Sequence, residues 1–439
     1  MRRIVENKLL EWKNSSRRKP LIVRGARQVG KTWSIKKFGN ENFDDFVVVD
    51  FEKNRKAHSF FSGDLDPKTI LQNIEISMHT KIIPGKTLLF FDEIQSCPDA
   101  LMSMKYFCED MPDLHLIAAG SLLEFALSKV SFPVGRVQYL NMHPMSFSEF
   151  LEATGNSTAH EIINSAPVKL PESTHNSILG ELKKYFFTGG MPESVKSFVE
   201  TESFIECFDV HSELINSFKN DFGKYASHSS HECLEEVFIS TSKNIGNQIV
   251  YTNLSSTFTN PTIKKAFDLL LKAKVIKKIN SVGILNLPLD IQTSSRKFKA
   301  IMLDIGLWQN LSGVPVEAQI AETDLMNIYR GALAEQFIGQ ELAINNENDL
   351  MYWAREAKSS NAEVDFITVI NGGIYPIEVK SGSAGSLKSL HLALSTFPQC
   401  PKGIVFSTAP YAQLHKQRLL FLPLYYVGIL PDFLAELKP

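Results

Sequence analysis

Cysteine is scarce in this sequence. The five cysteines, Cys97, Cys108, Cys207, Cys233 and Cys400, are scattered, and none forms a CxxC pair. Such spacing suggests neither a zinc site nor a disulfide framework, so a reduced, cytoplasmic setting is the simplest expectation. Long apolar runs are missing as well. No stretch reaches the roughly 18 apolar residues that a membrane-spanning helix needs. The opening Met1-Arg-Arg-Ile-Val-Glu lacks the apolar segment of a secretory signal. No membrane partner is expected. Charge of one sign is also lacking: 46 Lys and Arg stand against 48 Asp and Glu, a formal net charge of −2. Only a local basic patch could then bring nucleic acid to the chain. Internal repeats and low-complexity tracts are absent.

What is present is a globular composition. Hydrophobic residues make up 44% of the 439 residues, and 30 phenylalanines supply material for sizeable cores. Length alone suggests two to four domains at roughly 100–200 residues each.

Short apolar runs at 21–23, 46–49, 87–91, 114–119 and 137–140 are bounded by turn or charged residues. Helical patterns at 33–38, 70–79 and 100–109 lie between them. That alternation predicts a parallel sheet covered by helices. Residues 153–175 break the rhythm with Pro and Ser. A mainly helical stretch follows to about 225, interrupted by Thr188-Gly-Gly-Met-Pro192, which reads either as a hinge or as a helix-breaking turn.

Gly25, Ala26, Arg27, Gln28, Val29, Gly30, Lys31 and Thr32 satisfy GxxxxGK[ST] in full, after an apolar strand and before a helical pattern. The glycines let backbone N–H groups turn toward phosphate oxygens, and the helix start adds partial positive charge. Lys31 would reach the β- and γ-phosphates, and Thr32 would give its hydroxyl to Mg²⁺. About 60 residues on, Leu88-Leu-Phe-Phe-Asp92-Glu93 is an apolar strand ending in two carboxylates. Asp92 would hold the Mg²⁺, and Glu93 would polarise the attacking water as general base. Ser121, after the run 114–119, would sense the γ-phosphate or serve as an ordinary turn residue.

These residues carry a resemblance. Arg24-Gly-Ala-Arg-Gln-Val-Gly-Lys-Thr32, Phe91-Asp-Glu-Ile-Gln95, Gly120-Ser121, Gly135-Arg136 and His143-Pro-Met-Ser-Phe-Ser-Glu-Phe150 resemble, in order and spacing, the AAA-type ATPase domain of a widespread prokaryotic group. In that likeness Arg136 would contact phosphate; as a plain residue it would form a structural salt bridge.

Further on, helix-like 234–245, a short helix at 252–258, helical 261–274 and a hairpin of strand-like runs at 275–280 and 284–287 resemble a winged helix. Lys264, Lys265, Lys272, Lys274, Lys277 and Lys278 make it basic. Two readings stand: lysines on DNA phosphates, or a spacer with a solvated helix face.

The last part predicts a helix at 331–345 and strands at 351–353, 364–369, 374–379, 403–406 and 423–427. Asp365, then Glu378-Val-Lys380 thirteen residues later, is the layout of metal-dependent nucleases, with Glu335 as an added carboxylate. The segment resembles a PD-(D/E)XK nuclease-type fold. An active site, a retained inactive one and a structural polar cluster all remain open at this point.

The resulting expectation is an α/β chain. A P-loop NTPase parallel sheet with helices on both faces (residues 1–152) precedes a helical, winged-helix-like middle (176–300) and a second α/β, nuclease-like domain (301–439). It would bind ATP and Mg²⁺ and hydrolyse ATP as a switch acting on DNA or a protein partner. Lys31, Glu93 and Ser121 would be the catalytic groups. The alternatives are an ATP-regulated nuclease and a DNA-binding module without turnover.

Overall fold

A computed structural model describes residues 1–121, 123–124, 135–223, 228–289, 293–322, 331–345, 349–355, 362–382 and 386–436. The chain forms two compact units. The first is Met1–His143 with Lys272–Lys274, and the second is Pro144–Leu271 with Val275–Pro439.

The first unit is built on five parallel strands: β1 (Leu21–Arg24), β2 (Asp45–Asp50), β3 (Thr87–Asp92), β4 (His115–Ala119) and β5 (Gln138–Asn141). Their order across the sheet is β2-β3-β4-β1-β5. Burial follows position. β3 and β4 are buried at every residue, whereas the edge strands β2 and β5 alternate buried with half-buried or exposed positions. A strand covered on both faces must be apolar throughout, which is why the inner strands stood out in the sequence. One face packs Leu89, Phe91, Leu116 and Ala118 against helices Pro67–Met78 and Pro98–Asp110. On the other face, His115 of β4 meets Trp12 of helix Ile4–Asn14, and Phe46 of β2 lies against Gly39 of helix Lys31–Asn42. Asp66 starts helix Pro67–Met78 by accepting the Thr69 N–H at 2.9 Å, with proline at the first helical position. The five runs read from the sequence are these five strands.

The second unit begins with helices, among them Phe147–Ala153, Glu172–Thr188, Pro192–Thr201, Phe204–Phe222, His228–Lys243 and Asn260–Lys272. An eight-stranded mixed sheet follows. It comprises β6 (Ile276–Val282), β7 (Thr293–Met302), β8 (Met351–Ala354), β9 (Glu363–Ile370), β10 (Gly373–Val379), β11 (Gly403–Ser407), β12 (Ala412–Leu414) and β13 (Leu419–Pro423). The order is β12-β13-β11-β10-β9-β8-β6-β7.

Four expectations are corrected here. Residues 284–287 form no strand, and 252–258 holds only a 3₁₀ turn, Tyr251–Asn253. β6 instead pairs antiparallel with β7 and parallel with β8, so it belongs to the large sheet rather than to a free wing. The expected boundary at 300/301 falls inside β7. Similarly, the run at 423–427 lies mostly in the 3₁₀ helix Leu424–Ile429, and the strand is β13 just before it.

The Thr188-Gly-Gly-Met-Pro192 segment is a clamped turn. Gly189 closes helix Glu172–Thr188 at φ 66°, ψ −170°, a conformation essentially reserved for glycine. The Gly190 N–H donates to Asp304 Oδ2 at 2.6 Å, and a Cβ there would sit 2.0 Å from the Met145 carbonyl oxygen. Asp304 also caps helix Ile305–Leu311 through the Gly306 and Leu307 N–H groups. Beside them His211, fully buried, places Nε2 3.0 Å from the Thr188 carbonyl oxygen.

Burial lowers the His211 imidazole from its ordinary value to about 4. The folded state therefore keeps the ring neutral where an unfolded histidine takes a proton. The stability tied to that neutrality is present above pH 6.5 and is lost as the pH falls toward 4. We expect a loss of about 2 kcal/mol from this group between pH 7 and 5. Urea unfolding of the wild type and of His211→Gln at both pH values checks it. An equal loss in the two chains would rule out His211 as the source.

Candidate functional site

The parallel sheet sets three strand tips side by side. The register aligns Phe91 with Ala118 and Val23 with Ala119, so β3, β4 and β1 end level. Each carries candidate residues just beyond: Asp92 and Glu93 after β3, Ser121 after β4, and the 25–32 loop after β1. Ligands bind at the carboxyl ends of strands in such sheets.

The loop turns through Gln28 at φ 60° and Gly30 at φ 93°, then enters helix Lys31–Asn42. Gly30 takes this left-handed conformation without strain and leaves the helix start facing the loop. Lys31 is buried, and its ammonium donates to the Gly25 carbonyl at 3.0 Å and the Ala26 carbonyl at 2.7 Å. Burial lowers it to about 8, against the raising influence of Glu93. Thr32 Oγ1 donates to Asp92 Oδ1 at 3.0 Å. Asp92 is itself raised above its ordinary value, chiefly by burial and partly offset by the Thr32 hydrogen bond. Hydroxyl and carboxylate thus form a compact pair of hard oxygen donors, the set Mg²⁺ prefers.

Glu93 stands at φ 52°, ψ 43°, an uncommon conformation for a residue with a side chain. One of its oxygens accepts the Gln95 amide N–H at 2.6 Å. Ser121 is buried, and its hydroxyl accepts from Arg27 Nε at 3.3 Å, linking the loop to the tip of β4. Arg136 lies elsewhere. It precedes β5, whose first residue pairs with Leu21 at the start of β1, so it sits at the amino end of the strands, opposite the loop. There it forms a half-exposed salt bridge with Glu109 at 2.7 Å. The salt-bridge reading of Arg136 is the one seen here.

In the second unit the structure gathers Glu335, Asp365, Glu378 and Lys380. β9 and β10 pair antiparallel up to Ile377 and Phe366, and the Val379 N–H donates to Asp365 Oδ2 at 2.8 Å. Lys380 Nζ lies 2.5 Å from Glu378 Oε1. Helix Ala332–Asn345 supplies Glu335 from above the sheet. Its Gly339 leaves room for Ile301 of β7 and Phe366 of β9.

Two members were missed in the sequence. Lys299 of β7 and Glu363 of β9 join this centre, with Lys299 Nζ 2.5 Å from Glu363, 3.1 Å from Asp365 and 3.1 Å from Glu335. No spacing rule links Lys299 to Asp365, because β6 and β8 lie between their strands. Burial, reinforced by Asp365, pushes both Glu335 and Glu378 above the usual carboxylate range, against the opposing pull of Lys299 on each and of Lys380 on Glu378. Among the described residues no group of three or more His, Cys, Asp or Glu is arranged to hold a metal ion.

On the helix Asn260–Lys272, Lys264, Lys265 and Lys272 face solvent while Ile263, Ala266, Phe267 and Leu270 are buried. Among the described residues no helix is long and apolar enough to cross a membrane.

Residues 17–151 match a family model described as an AAA domain. This region is similar to AAA domains. Residues 179–318 and 330–426 match two domains of unknown function, DUF8612 and DUF4143. Among curated proteins nothing matches the sequence. The fold is loosely similar to solved structures. One is the Aeropyrum pernix Orc1 protein in complex with DNA (11% identity, 72% of this chain, 92% of that chain, TM-score 0.27). Others are the Thermotoga maritima RuvB Holliday junction branch migration motor (14%, 62%, 87%, 0.29) and AMPPCP-bound DnaA from Aquifex aeolicus (12%, 62%, 87%, 0.29). At these TM-scores the overlaps are too loose to add to the strand order and the family match of the AAA-type domain.

Proposed function

We propose that the first unit binds ATP with Mg²⁺ and hydrolyses it, serving as a nucleotide-driven switch. One observation carries this reading: the 25–32 loop, the Thr32–Asp92 pair and Ser121 converge at the level tips of three adjacent strands. The loop N–H groups and Lys31 would hold the phosphates. Thr32 and Asp92 would hold Mg²⁺, which when bound neutralises phosphate charge. Glu93 would accept a proton from water, its carboxylate steadied by the Gln95 amide. Ser121, tied to the loop through Arg27, would touch the γ-phosphate.

The purified full chain should release phosphate from ATP in the presence of Mg²⁺ and stop when EDTA is added. A chain that binds neither ATP nor ADP in calorimetry with Mg²⁺ present would overturn the proposal. Repeating the rate measurement with duplex DNA reads whether the exposed lysines of helix Asn260–Lys272 engage nucleic acid.

A further inference from the structure

The acidic centre of the second unit has an occupant supplied by the chain itself. The Lys299 side chain is 3% exposed, yet its ammonium lies within 3.1 Å of carboxylate oxygens from three residues on two different elements, strand β9 and helix Ala332–Asn345. A buried ammonium is strongly disfavoured unless it is paired, and here it is paired three times. Burial alone would lower it, but Asp365, then Glu335 and Glu363, hold it well above its ordinary value. The charge is therefore permanent at neutral pH.

The donors around it are hard oxygens on a rigid scaffold, the kind that take Mg²⁺ or Mn²⁺. A second observation points to a cation. Glu378 is 6% exposed, and its Oε2 is buried without a hydrogen-bond partner. Burial and the charge of Asp365 act against its ionised form, while Lys380, bonded to its other oxygen at 2.5 Å, and then Lys299 act in favour of it. A carboxylate oxygen left bare inside a protein is costly unless positive charge stands near it. Lys380 supplies part of that charge at the neighbouring oxygen, and Lys299 adds to it from β7, a strand separated from β9 by β6 and β8.

The geometry points to Lys299 as a tethered cation that occupies the place of a divalent metal, so that this centre is closed to Mg²⁺ and Mn²⁺ while Lys299 is present. The nuclease-like layout of Asp365, Glu378 and Lys380 is then kept as a charge-neutralised polar core without a metal-activated water. Nothing in this depends on the nucleotide site.

Mn²⁺ titration of the full chain, followed by the loss of free-ion paramagnetic resonance signal, tests it. Every chain compared retains Thr32 and Asp92, so only differences between chains are read. Lys299→Ala should bind one more Mn²⁺ per chain than the wild type, and Lys299→Ala/Glu378→Gln should lose that gain. Glu378→Gln alone should bind as many Mn²⁺ as the wild type. Two results would overturn the proposal: no gain in a folded Lys299→Ala chain, or one Mn²⁺ fewer in Glu378→Gln than in the wild type. The second comparison stands even if Lys299→Ala does not fold.

Discussion

Glu93→Gln is expected to slow ATP turnover by about 10²–10⁴-fold while leaving Mg–ATP affinity within a few-fold of the wild type. That range is the usual contribution of a placed general base. The substitution removes the proton-accepting oxygen but keeps the length of the side chain. It leaves Lys31, Thr32 and Asp92 in place. The backbone at Glu93 is already left-handed, and glutamine meets the same steric cost there as glutamate. The Gln95 amide is close enough to hold either side chain. Binding and turnover should therefore separate, which a general loss of folding would not produce. Steady-state phosphate release with calorimetric ATP binding on the same preparation reads both. Release within ten-fold of the wild type would remove Glu93 from the role of base.

The loop and strand tip of the candidate nucleotide site were legible in the sequence because each is local. A loop of eight residues and a carboxylate-tipped strand each declare themselves in one stretch of chain. The inner strands are apolar at every position, and burial on both faces demands that. The remaining features depend on long-range pairing. β7 reads Thr-Ser-Ser-Arg-Lys-Phe-Lys-Ala-Ile-Met and carries no continuous apolar run, so the expected hairpin was closed too early at 284–287. Its true partners, β6 and beyond it β8, join it to the large sheet. Lys299 carries no local signal, standing two residues from the exposed Lys297, although its ammonium lies among buried carboxylates. At β13 the apolar stretch 419–427 continues through strand and 3₁₀ helix alike, and periodicity cannot divide a run that is buried in both. Arg136 followed the family order in sequence but falls at the amino ends of the strands, away from the loop. Only the register of β5 on β1 shows this.

Lys31→Ala should weaken Mg–ATP binding by more than about 100-fold. A charged donor shared between two phosphates contributes roughly 3–6 kcal/mol, taking each charge-assisted hydrogen bond at its usual size. A sharper test lies in the proton. Burial places the Lys31 ammonium at about 8 before any phosphate arrives. The charged form is the one that pairs with a triphosphate. At pH 7 about nine-tenths of the chains carry it, at pH 8 about half, and at pH 9 about one-tenth. Affinity should then fall about five- to ten-fold from pH 7 to pH 9, as the competent fraction falls. Binding at pH 8 should take up roughly half a proton per ATP, because the bound phosphates restore the charge. The nucleotide does not confuse this reading, since the last phosphate proton leaves near pH 6. Calorimetry at pH 8 in two buffers of different ionisation heat measures the uptake directly. The same heat in both buffers, or a Lys31→Ala variant that binds within a few-fold of the wild type, would mean that the ammonium held by Gly25 and Ala26 is not the group that meets the phosphates.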